Sequence, residues 1–116
     1  MATSTVPMGT GAMQEVQLTL NTNLVAIRDW GRIIARKTAN LLIINAHGLY
    51  ALTPIGNETA VATLSGVSVP VTLSAPAKVD AQDDSGIAAV GGNSLRLINV
   101  KNPDKAIYFT LVVPLN

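Results

Sequence analysis

Apolar and polar residues alternate over short stretches of the chain, and Gly, Pro or Asn interrupts them at intervals of roughly ten residues, the rhythm of strands in an antiparallel sheet. The clearest case is Val67-Ser68-Val69-Pro70-Val71-Thr72-Leu73. It would set Val67, Val69, Val71 and Leu73 inward and Ser68, Pro70 and Thr72 outward. Pro70 donates no ladder hydrogen bond, so this strand belongs at a sheet edge or carries a bulge. Residues 15–20 alternate as well, with Val16, Leu18 and Leu20 on one face, and an Asn21-Thr22-Asn23 turn follows. Residues 59–64 form a short β-branched strand, and residues 87–90 and 94–100 flank a Gly91-Gly92-Asn93 hairpin turn. Asn102-Pro103-Asp104 then turns the chain into a last strand, 106–113. There Ile107, Phe109, Leu111 and Val113 share one face and Ala106, Tyr108, Thr110 and Val112 the other, so both faces are largely apolar. Such a strand belongs in the interior or against a partner.

Residues 40–53 hold the densest apolar run beside a turn signal: Leu41-Leu42-Ile43-Ile44, then Asn45-Ala46-His47-Gly48. They read as a core hairpin turning at 45–48, with the lone histidine in the turn. Residues 24–27 and 32–37 read as two strands around an Asp29-Trp30-Gly31 turn. A helix competes here, because Asp29 is an acceptable N-cap and Trp30, Ile33, Ile34, Lys37 and Leu41 lie near helical spacing. Gly31 and the β-branched pair Ile33-Ile34 weaken that helix and favour strands. Residues 75–86, the most polar stretch, read as a surface loop carrying Asp80, Asp83 and Asp84. These pieces add up to an all-β fold, an antiparallel β-sandwich or small barrel of about eight or nine short strands. It forms a single domain over 14–116, preceded by an extended N-terminal arm, 1–13, whose Gly and Pro breaks and lack of periodicity give no strand or helix of its own.

At 116 residues the chain is long enough for one core without disulfides or a structural metal, and it contains no cysteine. Charged residues make up 13% of it, against the ~25% usual for a soluble domain, while apolar residues make up 48%. A monomer this small has difficulty covering that much apolar surface, which points to assembly with other copies or other subunits. The basic residues are scattered and the net charge is +1, so no nucleic-acid or membrane footprint is indicated. There is no secretory signal pattern, and no apolar run approaches the ~18 residues of a spanning helix.

Candidate chemistry is sparse. Any imidazole role falls on His47, which has no nucleophile scaffold near it in sequence and reads as an ordinary turn or surface histidine. Asp80, Asp83 and Asp84 offer oxygen ligands for calcium but lack the spacing of an EF-hand loop. Asn57-Glu58-Thr59 matches a glycosylation acceptor that is idle without secretion. No catalytic, cofactor or metal site is expected, and no small-molecule substrate. Of four aromatic residues, Trp30 and Tyr50 are the ones a ligand could stack on.

In general character, and on no particular motif, the chain resembles small virion components of phages such as capsid decoration, cement, minor coat or tail proteins. That resemblance implies a non-enzymatic structural protein of the virion, assembled in the host cytoplasm and packed through apolar faces and the arm. The expected assembly contacts are Val6, Pro7, Met8, Met13, Val69, Val71, Tyr108 and Val112. The alternative is a small ligand-binding β-sandwich in which Trp30, Tyr50 and the loop from Asp80 to Asp84 form a carbohydrate or calcium-dependent site.

Overall fold

The computed structural model describes residues 13–80 and 85–115. Among these residues nine strands follow one another: β1 Gln14–Val16, β2 Leu18–Leu20, β3 Val25–Lys37, β4 Leu41–Ala51, β5 Thr59–Leu64, β6 Val69–Val79, β7 Ser85–Gly92, β8 Ser94–Ile98 and β9 Ile107–Pro114. They pair antiparallel in a single sheet of order β1-β3-β4-β9-β6-β7-β8-β5-β2. The two ends of that order are neighbours in the chain, separated only by Gln17. One short segment therefore pairs on one side with β3, Val16 opposite Ala35, and on the other with β5, Leu18 opposite Leu64. The Ser65 N–H donates to the Gln17 carbonyl at 2.9 Å and the Asn21 N–H to the Val61 carbonyl at 2.8 Å, continuing the seam. The sheet is thus a nearly closed barrel, and the closure leaves few strand edges unpaired.

Alternate residues fill the interior, as the period of two requires. Val16, Ala35, Ile44 and Leu111 form one buried row across four strands. Ile107, fully buried, lies opposite Leu49 on one side and Val79 on the other. The turns at 21–23 and 102–104 and the β7–β8 hairpin form as the sequence indicates, with Gly92 at a positive φ of 58°.

Several local expectations are overturned. Residues 40–53 are not a hairpin: β4 runs unbroken through them from Leu41 to Ala51. Asn45 and His47 are simply its outward positions, alternating with buried Ile44, Ala46 and Leu49. Gly48, at φ 81°, makes a bulge where β4 slips by one residue against β9. Likewise Asp29-Trp30-Gly31 is no turn but an irregularity within β3, where the register against β4 shifts between Ile27 and Arg32. The surface loop assigned to 75–86 shrinks, because β6 continues to Val79 and β7 begins at Ser85.

In β6 the inward alternation holds for Val69, which is buried, and fails for Val71, which is 67% exposed. The ladder to β7 slips between Val69 and Leu73, and β6 meets β9 only at Lys78 and Val79. Carried on, that register would set Ala77 opposite Phe109 and Pro76 opposite Thr110; Pro76 has no N–H to give there, and the first half of β6 runs unpaired on that side, with Val71 and Leu73 exposed.

Candidate functional site

The outer face of β3, β4 and β9 carries a concentration of aromatic and polar side chains. Register explains it: Arg32 stands opposite His47, His47 opposite Tyr108, and Tyr108 opposite Lys78, one outward row across four strands. The next outward row is Ile34, Asn45 and Thr110, and the one beyond it Arg36, Ile43 and Val112. An open depression of about 980 Å³ lies over these rows, with Trp30 at one end and Met13 at the other.

Trp30 is 58% exposed, an unusual position for the largest aromatic side chain in the chain. Its ring meets the His47 imidazole edge to face at 5.5 Å and 79°, and lies nearly parallel to the Tyr108 ring at 6.4 Å and 23°. His47 and Tyr108 close the triangle at 4.9 Å and 69°. The three rings form an aromatic platform on the outer face in which the indole is more than half exposed. Beside it the Thr110 hydroxyl donates to Asn45 Oδ1 at 2.7 Å, fixing an amide that also carries two N–H donors. Arg32 and Arg36 supply the formal charges of the lining, and no carboxylate appears among its described residues. Glu15 stands opposite Arg36 at the far end.

Arg28 holds the start of the β3 irregularity. Its guanidinium lies 4.1 Å from the Tyr50 ring centroid, donates to Asp104 Oδ1 at 3.0 Å and also donates to the Asp104 carbonyl. Both charged partners are partly solvated, with side chains 30% and 78% exposed, so the cation–π contact and the ion pair together are worth only about 1 kcal/mol. Arg28→Ala is expected to lower unfolding stability by about that much in urea titrations, with the Trp30, His47 and Tyr108 ring contacts intact.

The platform differs from the sequence expectation. Trp30 belongs to it, but its ring partners are His47 and Tyr108, while Tyr50 is engaged by Arg28 instead. His47, read as an incidental turn residue, sits mid-strand at the centre of the platform. Asp80 is exposed, with its N–H donating to the Ala106 carbonyl, whereas Asp83 and Asp84 lie outside the described residues.

Of the expected assembly contacts, Val6, Pro7 and Met8 likewise lie outside the described residues. Met13, Val71 and Val112 are exposed, at 44%, 67% and 55%. Tyr108 is half-buried in the platform. Val69 is 4% exposed and packs in the barrel interior, so it offers no surface for a partner.

No protein-family model matches the chain, and no curated protein matches it in sequence. Among solved structures, its fold is similar to that of the head domain of the lactococcal phage bIL170, described with the receptor-binding domains of lactococcal phages. The TM-score is 0.70 at 14% sequence identity, over 90% of this chain and 99% of that one. At that identity the likeness is one of fold: the chain has the barrel architecture of a phage receptor-binding head domain.

Proposed function

We propose that this chain is a phage virion component that recognises a saccharide of the host surface through the Trp30, His47 and Tyr108 platform. The observation that carries the reading is the indole of Trp30, held by two other rings yet 58% exposed. A flat ring fixed face-outward stacks on the apolar face of a sugar, and the Asn45 amide, Thr110 hydroxyl and Arg32 guanidinium beside it match hydroxyl and anionic groups. The fold shared with a receptor-binding head domain supports the same reading. A purely architectural part, such as a capsid decoration protein, leaves the platform without a purpose. The exposed Val71 supports packing of the domain against other subunits of the virion, whereas Val112 lies on the platform's own face, two rows from Tyr108.

The test is an array of bacterial surface polysaccharides probed with the labelled chain and with Trp30→Ala. Saturable binding that the substitution removes supports the reading. Failure of the native chain to bind any member, or equal binding by the variant, would sink it.

A charge argument refines the ligand. With Arg32 and Arg36 lining the depression and Lys78 beside Tyr108, saccharides bearing phosphate or carboxylate are favoured. Binding is expected to weaken as salt rises through ~0.15 M, where the screening length falls to about 8 Å. Arg32→Gln should weaken it roughly three- to tenfold at low salt and flatten the salt dependence, as expected for a solvated charge. Titrations at two ionic strengths check this.

A further inference from the structure

We infer that Gly48, which presents no side chain to a ligand, is a positioning residue that sets the attitude of the Trp30 ring. Two irregularities of the sheet coincide at this residue. On the β3 side, residues 28–31 pass opposite Gly48 alone, since pairing resumes only at Ile27 with Leu49 and at Arg32 with His47. On the β9 side, Gly48 is the extra residue between the His47–Tyr108 and Leu49–Ile107 pairs. The β3 excursion therefore drapes over a bulge, and what lies on the bulge is the indole.

A Cβ built on Gly48 would stand 2.7 Å from Cζ3 and 3.1 Å from Cη2 of Trp30, and 3.0 Å from the Cα of Gly31. The first separation is shorter than carbon atoms tolerate and the other two are tight, so one group must yield. Gly31 is backbone and is itself wedged, because a Cβ there would be 2.5 Å from the His47 carbonyl oxygen. The indole is bounded by solvent on its open face and is the group free to move. Moving it breaks the edge-to-face contact with His47 and the parallel arrangement with Tyr108 that make the platform. The bare Cα of Gly48 is thus the floor on which the ring rests.

This inference rests on the saccharide reading only for its consequence in binding; the ring's attitude is measurable without any ligand. Trp30 is the single tryptophan, so its emission, its acrylamide quenching and the near-ultraviolet circular dichroism report on it directly. Gly48 also has φ 81°, so Gly48→Ala combines backbone strain with the ring collision. Gly66→Ala separates them, because Gly66 has φ 77° with nothing near its Cβ position.

Gly48→Ala is expected to weaken the aromatic dichroism and raise quenching of Trp30, and to lower binding on the polysaccharide array by about tenfold or more. Gly66→Ala should change neither the dichroism nor the quenching. In melts, Gly48→Ala should cost more than Gly66→Ala in the native background, and most of that excess should vanish when Trp30→Ala is also present, leaving only the cost of the 3.0 Å approach to the Gly31 Cα. Native-like optics for Gly48→Ala, or an excess cost that survives removal of the ring undiminished, would overturn the inference. If the native chain binds nothing on the array, the saccharide reading fails while the optical and melting comparison still decides the role of Gly48. A Gly48→Ala chain too unstable for the optics is still judged by the melting comparison in the Trp30→Ala background.

Discussion

Trp30→Ala is expected to weaken saccharide binding roughly 10- to 100-fold while leaving the barrel folded. The asymmetry follows from where the ring sits. Truncating a central aromatic anchor of a binding site typically costs about 2 kcal/mol or more, and ~1.4 kcal/mol is a tenfold change in affinity. In the free protein the same ring is 58% exposed, so its removal takes little surface out of the core and should cost less than about 1 kcal/mol of unfolding stability. Trp30→Phe should recover part of the affinity, because a smaller face still stacks, and should leave the salt dependence from Arg32 unchanged. Binding titrations alongside thermal melts distinguish these outcomes. A Trp30→Ala chain that unfolds cooperatively near the native midpoint and still binds at native affinity would remove the platform from the site.

The barrel was legible in the chain because its interior obeys the period of two. The residues that share one face of the last strand, Ile107, Phe109, Leu111 and Val113, are all buried, and the hairpin glycines mark a real turn. What the pattern could not carry is the difference between a turn and a bulge. Asn45-Ala46-His47-Gly48 satisfies the chemistry of a turn, yet in β4 its polar residues fill outward positions and its glycine takes one left-handed residue within a continuing strand. The same confusion hid the site. Reading 45–48 as a turn put His47 out of line with every neighbour, whereas an unbroken strand paired to 32–37 and 106–113 aligns Arg32, His47 and Tyr108. Asn45 and Thr110, polar residues amid otherwise apolar strands, were the available hint of that alignment. Residue type alone offers Tyr50 beside Trp30 as a stacking surface, but Tyr50 lies beyond the bulge, opposite Ala26.

Val16→Asp is expected to destabilise the domain by about 3–5 kcal/mol, a large part of the ~5–15 kcal/mol that holds a domain of ordinary stability folded. Val16 is 4% exposed, in the buried row with Ala35, Ile44 and Leu111, where no cation stands to receive a carboxylate. The position matters beyond its burial, because β1 has three residues and β2 three, and this short segment joins the two ends of the sheet. If the segment is expelled to solvate the new charge, β3 loses β1 and β5 loses β2 together, and the barrel opens along its seam. Thr19→Asp, at an exposed position of the same segment, is the control and should stay within about 0.5 kcal/mol of the native chain. The pH dependence gives the cause away. A carboxyl buried at position 16 has its folded pKa raised above the ~3.9 of the unfolded chain, so its penalty is smallest below that pH and grows as pH rises. Urea titrations of both variants at pH 3.5 and pH 7 should therefore bring Val16→Asp closer to the native chain at the lower pH and leave Thr19→Asp without that gain. A Val16→Asp chain as stable as the native one at pH 7 would mean that this segment does not hold the barrel shut.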